Sequence, residues 1–368
     1  MNKGKRSVTL RCCCLSGSLR GVAFAAAIFL WCCGTVDAQL LFVNESVQEH
    51  VAQLNSLTIR KDSQGYLAPS AQQQFGFRDL ADGLRDARSI TDLEQLLPEA
   101  TAFGYDVVVL SDRGETYFGL QESATVATQK GWGSFFLRQD ASNHALVEVA
   151  HPLADINTTE ISAQVFVDSQ AKGFLLAGAH RNANGLGTAD VAHLEQSIFH
   201  EVHQSFTDNA SDFSVWQIHG FDIDLHPELP ADSDAILSSG TGGVSDIVFG
   251  LDQDIDQLEG DWTSYAFNTL DGDDPLNVGT NGSFDGSVFS QLGGTTNVQG
   301  RHTNLFGGEF VHIELEQSFR IDGGEASRLL VSRSIARAII ASTTAVPEPG
   351  TLAILGLFGT CLVLPRRR

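Results

Sequence analysis

The pattern of apolar and polar positions divides the chain into a helical lead-in and an α/β body. Across residues 44–97 apolar side chains recur three to four apart, as in Val47, Val51 and Leu54 and again in Phe77, Leu80 and Leu84. That spacing predicts helices, and nothing in them suggests chemistry. Between residues 106 and 137 the period shortens: DVVVLSD, a turn at Asp112-Arg113-Gly114, ETYFGLQE and then GWGSFFLRQ read as antiparallel strands on one side of a mixed sheet.

The next stretch organises the rest. An apolar run over residues 146–150 ends in His151-Pro-Leu-Ala-Asp155, a helical pattern begins at Thr159, and a second apolar run over residues 174–179 ends in His180-Arg181-Asn182. A strand, helix, strand unit of this kind makes parallel strands whose carboxyl ends share one sheet edge, where open α/β sheets place their sites. Two further runs repeat the theme. FSVWQI over residues 213–218 ends at His219-Gly220-Phe221, with a glycine that permits close backbone approach. In residues 310–320, FVHIELEQSFR, period two sets Val311, Ile313 and Leu315 on one side and His312, Glu314 and Glu316 on the other. Three ionisable groups on the face of a core-like strand are costly to bury without a metal, a substrate or a wet cleft to meet them. An edge strand with a solvated face is the competing reading.

Residues 189–206 show Val191, Leu194, Ile198, Val202 and Phe206 on one stripe, predicting a helix that carries His193, His200 and His203. The His200 and His203 spacing is i, i+3 rather than the i, i+4 of a zinc-protease helix, so packing or surface roles are expected. A short apolar run at residues 235–238 and an amphipathic helix over residues 325–340 complete the pattern. The acidic, glycine-rich stretch between them includes Asp271-Gly-Asp273-Asp274, which lacks the order of a calcium loop and reads as a surface insertion. The expected fold class is α/β: a single domain over residues 39–345, with a mixed, partly parallel central sheet flanked by helices.

Both ends stand apart from this body. Lys3, Lys5, Arg6, Arg11 and Arg20 precede an apolar stretch that runs to about Cys33, and Val36-Asp37-Ala38 has cleavage-type spacing, so residues 1–38 read as a secretory signal. All six cysteines lie in that leader or at Cys361, which excludes disulfides, thiolate nucleophiles and cysteine metal sites from the body. The formal charge is −22; residues 1–38 carry five cationic and one acidic group and residues 347–368 carry three and one, which leaves −28 between them. So acidic a surface argues against nucleic acid as a partner.

The other terminus reads Val346-Pro347-Glu348-Pro349-Gly350, an apolar run to Pro365 and Arg366-Arg367-Arg368. The run is shorter than the roughly 20 residues of a spanning helix. It resembles the PEP-CTERM sorting signal of Gram-negative bacteria, which has these three parts in this order. The resemblance implies handling by exosortase machinery, transient membrane contact through the tail, and delivery to the cell surface, outer envelope or extracellular matrix.

Ten of the eleven histidines lie between positions 144 and 312, and several stand at strand ends. Two imidazoles and a carboxylate around an open fourth position make a catalytic zinc site, in which the metal acidifies water and polarises a carbonyl while a free glutamate moves the proton. Arg181 has the planar fork that suits a substrate carboxylate. The blocks HPLADINTTEISA, LLAGAHRNAN, WQIHGF and FVHIELEQSFR together resemble, over residues 147–320, the zinc carboxypeptidase-like amidohydrolases that include N-formylglutamate amidohydrolase and poly-γ-glutamate hydrolase. That resemblance implies a phosphorylase/hydrolase-like fold and one zinc held by His151, Asp155 and His219. It further implies Glu314 as base and His180, Arg181 and Asn182 around the substrate. The first loop departs from the family, with His-x-x-x-Asp in place of His-x-x-Glu, and Glu148 is the other acid nearby. The expected function is an exported zinc hydrolase of amide bonds next to a carboxylate, with a cell-wall or matrix polymer as candidate substrate. The alternative is a non-catalytic surface or matrix protein anchored through its tail.

Overall fold

The computed structural model describes residues 38–123, 129–208, 212–227, 229–243, 245–258, 262–268, 284–285 and 292–344. The expected secretory signal, surface insertion around Asp271 and sorting tail lie outside these residues, apart from Ala38. Among the described residues no helix is long and apolar enough to cross a membrane.

The chain begins with strand β1 (Leu40–Asn44), which the helical reading of the lead-in did not include, then helices α1 (Val47–Ser56), α2 (Ala71–Asp86) and α3 (Ile90–Phe103). Ser46 and Ser70 each start a helix with a reciprocal capping box, closed by Glu49 and Gln73 respectively. Strands β2 (Tyr105–Asp112), β3 (Glu115–Glu122) and β4 (Ser134–Arg138) follow as the antiparallel set that the short period implied. Then come β5 (Ala145–Val149), α4 (Thr158–Asp168), β6 (Gly173–Leu176), α5 (Ile198–Thr207) and β7 (Ser214–Gly220). Strands β8 (Ala235–Ser238), β9 (Ser264–Asn268) and β10 (Phe284–Asp285) are interleaved with α6 (Asp246–Asp256). The chain closes with α7 (Val298–Leu305), β11 (Glu309–Leu315) and α8 (Gly324–Thr344).

The strands form one 11-stranded mixed sheet in the order β1-β2-β3-β4-β6-β5-β7-β11-β8-β9-β10. Alternating side chains bury two apolar layers, one beneath α1, α4, α6 and α8 and the other beneath α2, α3 and α5. In the middle, β5, β7 and β11 run parallel and adjacent. The chain goes from β5 to β6 on one side and later places β7 on the other, so the strand order reverses beside β5. A crevice opens at the carboxyl ends of strands at such a reversal.

Two expectations need correction. Strand β6 stops at Leu176, and the run continues as a loop edge pinned by residue 59: the Ile59 N–H donates to the Gly178 carbonyl (2.9 Å) and the His180 N–H to the Ile59 carbonyl (2.8 Å). The helix expected over residues 189–206 starts only at Ile198. Ser197 caps it by accepting from the His200 N–H (3.1 Å), while upstream the Asp190 side chain is drawn to His151. The edge-strand alternative for β11 fails, because β7 and β8 pair with it on its two sides.

Arg320 ties the loops above the crevice together. Its buried guanidinium donates to the carbonyls of Leu315 (2.8 Å), Ile156 (2.7 Å) and Phe221 (2.8 Å), three separate connections. It crosses directly over Gly220, where a Cβ would lie 2.4 Å from the guanidinium carbon. The close approach that a glycine after His219 suggested is therefore made by this arginine. Gly220→Ala is expected to destabilise the protein by about 1–3 kcal/mol, the usual cost of overpacking. A lowered urea midpoint with an unchanged slope would register it, and an unchanged midpoint would contradict it.

Candidate metal centre

Three donor atoms meet at the carboxyl ends of β5 and β7. His151 stands two residues past β5, and a tight turn in which the Asp155 N–H donates to the His151 carbonyl (3.0 Å) brings the Asp155 side chain back beside it. His219 arrives from the last turn of the pleat in β7. The Nδ1 atoms of His151 and His219 are 3.1 Å apart, and Asp155 Oδ2 lies 3.3 Å from the first and 3.2 Å from the second. All three residues are buried.

The hydrogen bonds on the far side of each ring settle the tautomers. His151 Nε2 faces Asp190 Oδ1 at 2.8 Å and His219 Nε2 faces Gln217 Oε1 at 2.7 Å, both acceptors, so each ring carries its proton at Nε2. Two Nδ1 lone pairs and a carboxylate oxygen then point at one another. Such a triangle of acceptors requires something positive in its midst. Tetrahedral zinc with ligands at about 2.0–2.1 Å sets ligand atoms about 3.3–3.4 Å apart, close to the separations here. The donor set fits one divalent ion of that kind, and the Asp190 and Gln217 contacts are the usual means of aiming a ligating imidazole.

In the metal-free protein a proton meets part of this need. Burial alone would push the His151 imidazole down, but the Asp155 charge and hydrogen bonds to Asp155 and Asp190 outweigh it and hold the pKa at about 9. Asp155 is held well below the usual carboxylate range, since the charge and hydrogen bond of His151, with help from His219, overcome its desolvation. Asp190 is lowered to about 2 against its own burial, chiefly by its hydrogen bond to His151.

Strand β11 supplies the other wall. Ring nitrogens of His219 and His312 and a carboxylate oxygen of Glu314 lie within 4.8 Å of one another. His312 stacks on His219 with ring centres 4.7 Å apart, and its Nδ1 is buried without a hydrogen-bond partner. Burial and then the Asp155 charge raise the Glu314 carboxyl well above its ordinary value. These groups line a cleft of about 610 Å³, with Ile156 and Leu225 at its rim.

The other expected residues divide. Arg181 lines the cleft, its Nε 3.5 Å from Asp190 Oδ2, so that one carboxylate braces both His151 and Arg181. His180 and Asn182 do not line it, which corrects their expected place around the substrate. His180 Nδ1 accepts the Asn182 N–H (3.0 Å), and Asn182 Oδ1 accepts the Gly187 N–H (2.8 Å), so each side chain gives one polar atom to shaping its own loop. Glu148, the other acid near the first loop, points into the core and pairs with His203 Nδ1 at 2.8 Å. Both His200 and His203 are buried in packing positions. Asp190, Gln217 and Asn297 escaped the sequence reading. Only Gln217 left a signal, being a polar residue two before His219 and therefore on the same face of a core strand.

No protein-family profile matches this chain, and no curated protein matches it. Solved structures are distantly similar. A candidate metallopeptidase from Shewanella amazonensis is 11% identical with a TM-score of 0.33, covering 70% of this chain and 94% of its own. A metallo-carboxypeptidase from Burkholderia cenocepacia is 12% identical with a TM-score of 0.33, covering 76% and 70%. A candidate metallopeptidase from Shewanella denitrificans is 11% identical with a TM-score of 0.28, covering 69% and 90%. Likeness at this level carries no chemistry across, and the donor set stands on its own atoms. Because the folded His151 pKa is raised above its ordinary value, its contribution to the metal-free protein is full below about 6.5 and is lost as pH rises through about 9. A divalent ion takes the place of that proton and also favours the ionised form of the Glu314 carboxyl, so binding near pH 7 should release at least one proton. Calorimetry in buffers of different ionisation enthalpy reads this directly, and a buffer-independent heat would contradict it.

Proposed function

We propose that this protein is an exported zinc-dependent hydrolase of amide bonds that lie next to a carboxylate. The observation that carries the reading is the convergence, in one cleft, of three buried ligand-type atoms, two imidazole nitrogens and a carboxylate oxygen, with a glutamate beside them. A non-catalytic surface protein has no use for such an arrangement, since buried acceptors facing one another cost stability.

When bound, the zinc would polarise the scissile carbonyl and acidify water. The rest falls to the chain's own residues. Glu314 accepts the proton of the attacking water and returns it to the leaving amine, a role that needs its carboxylate ionised. Desolvation and the Asp155 charge raise that carboxyl well above its ordinary value, and a divalent charge bound nearby would favour the ionised form. Arg181, steadied by Asp190, pairs with the substrate carboxylate at the cleft wall. Asp190 and Gln217 keep the two imidazoles turned toward the cleft. Residues 1–38 and 346–368 support export, with exosortase machinery as partner and a cell-wall or matrix polymer as the setting for the substrate.

The domain without leader and tail is expected to purify with near-stoichiometric zinc and to lose it in His219→Ala. Glu314→Gln should keep the metal while turnover of N-acyl amino acids falls by about 10²–10⁴-fold, the usual contribution of a general base. Metal analysis beside a hydrolysis assay decides it. Zinc-free wild type overturns the metal reading, and full turnover in Glu314→Gln moves the base elsewhere.

A further inference from the structure

Behind the metal centre the core holds a second polar layer. Glu148 of β5, Gln217 of β7 and His203 of α5 are each fully buried, and the register sets Glu148 beside Gln217 on neighbouring strands. Gln217 Nε2 donates to Glu148 Oε2 (2.9 Å), and His203 Nδ1 faces Glu148 Oε1 (2.8 Å). On its other side Gln217 Oε1 accepts from His219 Nε2 (2.7 Å) and from the Asn297 amide. Asn297 has no freedom to turn, because its own Oδ1 caps α7 by accepting the Gly300 N–H (2.9 Å).

An amide can be built either way round, and its neighbours must decide which end is which. Here they agree. A carboxylate such as Glu148 accepts only, so it demands the NH₂ end of Gln217; the NH₂ of Asn297 demands the oxygen end. The oxygen therefore faces His219, whose Nε2 must carry the ring proton, and the Nδ1 lone pair is left to the metal centre. Without this acceptor the alternative tautomer is at hand, with Nδ1–H donating to Asp155 Oδ2 at 3.2 Å. That tautomer takes two donor atoms out of the triangle at once.

We infer that Gln217, locked by Glu148 and Asn297, is a positioning residue that sets the His219 tautomer and thereby the affinity of the site for its metal. The inference rests on the metal reading above for its affinity consequence but not for the tautomer. The polarity of the chain also predicts a rescue. Exchanging the two groups, Glu148→Gln with Gln217→Glu, restores every bond in the same sense: a carboxylate accepts from His219 and Asn297, and the new amide donates to it while accepting from His203. Gln217→Glu alone puts two carboxylates side by side.

The test is made on the full folded domain with histidine ring nitrogens labelled. In metal-free wild type and in the exchanged double variant, long-range nitrogen–proton spectra should show His219 protonated at Nε2. In Gln217→Ala and in Gln217→Leu, which remove the acceptor, the Nδ1–H form should appear, whereas Gln217→Glu keeps an oxygen facing His219 and should keep the Nε2–H form. Zinc affinity, measured by competition with a chromophoric chelator, should fall about 10–100-fold in Gln217→Ala and Gln217→Leu, as for other outer partners of ligating histidines, and be retained in the exchange. His50→Ala, which removes a buried histidine bonded to Glu45 and Gln121 far from the site, should lower stability and leave zinc affinity alone. If Gln217→Ala does not fold, the nearly isosteric Gln217→Leu against the exchange decides the matter. An unchanged His219 spectrum with undiminished zinc binding in Gln217→Ala and Gln217→Leu overturns the inference. Wild type that binds no zinc while its His219 tautomer still follows Gln217 overturns the metal reading and leaves the positioning role standing.

Discussion

Everything at the centre of this molecule follows from polar side chains sharing one face of three adjacent parallel strands. In β5, β7 and β11 one alternate set of side chains, Val147, Trp216, Ile218, Ile313 and Leu315 among them, fills one apolar layer. The opposite face carries Glu148, Gln217 and His312 in one row and His219 with Glu314 in the next. Parallel strands cannot shift one of these rows without turning a whole strand over, because a slip of one residue sends every side chain to the other face. The polar layer is thus fixed by the same register that fixes the apolar one. Once buried, its members must satisfy one another or be satisfied by something brought from outside.

Most of the inner row closes on itself. Glu148 has His203 and Gln217, Gln217 has Asn297 and His219, and Gln299 joins by accepting from Gln217 Nε2 at 3.5 Å while its own amide donates to the Val191 carbonyl at 3.0 Å. The outer row does not close. His151, Asp155 and His219 bring three ligand-type atoms to one point with at most a proton between them, Glu314 is desolvated beside them, and His312, at the end of the inner row, leaves its Nδ1 without a partner. The boundary between closed and open rows is the boundary between scaffold and site, and it falls where the strand order reverses.

This division explains what the sequence could and could not reveal. The elements were legible where a single period held over a whole segment, as in the antiparallel set and in FVHIELEQSFR, whose alternation put His312 and Glu314 on one face before any partner was known. The donors His151, Asp155 and His219 were legible because each follows or ends an apolar run abruptly. His180 and Asn182 gave the same local signal and ended in a different place, since the loop at Ile59 extends β6 past its last ladder bond and turns those side chains onto their own backbone. Local pattern marks a strand end but does not tell which way the following loop folds. Asp190 was illegible for the opposite reason: it sits in a stretch whose apolar spacing imitates a helix, and only the pull of a histidine 39 residues earlier in the chain reveals it.

The outer row also constrains how the site can work. A carboxyl as deeply buried as Glu314 would stay protonated, and three acceptors around Asp155 would repel, if each had to be satisfied alone. A single divalent charge resolves both at once: it accepts the three lone pairs and makes the ionised form of the neighbouring carboxyl affordable. Base and metal in this arrangement are therefore not independent parts placed near each other. On the proposed reading, the cation that would complete the triangle would also favour the ionised form of Glu314, so occupancy and competence would rise together.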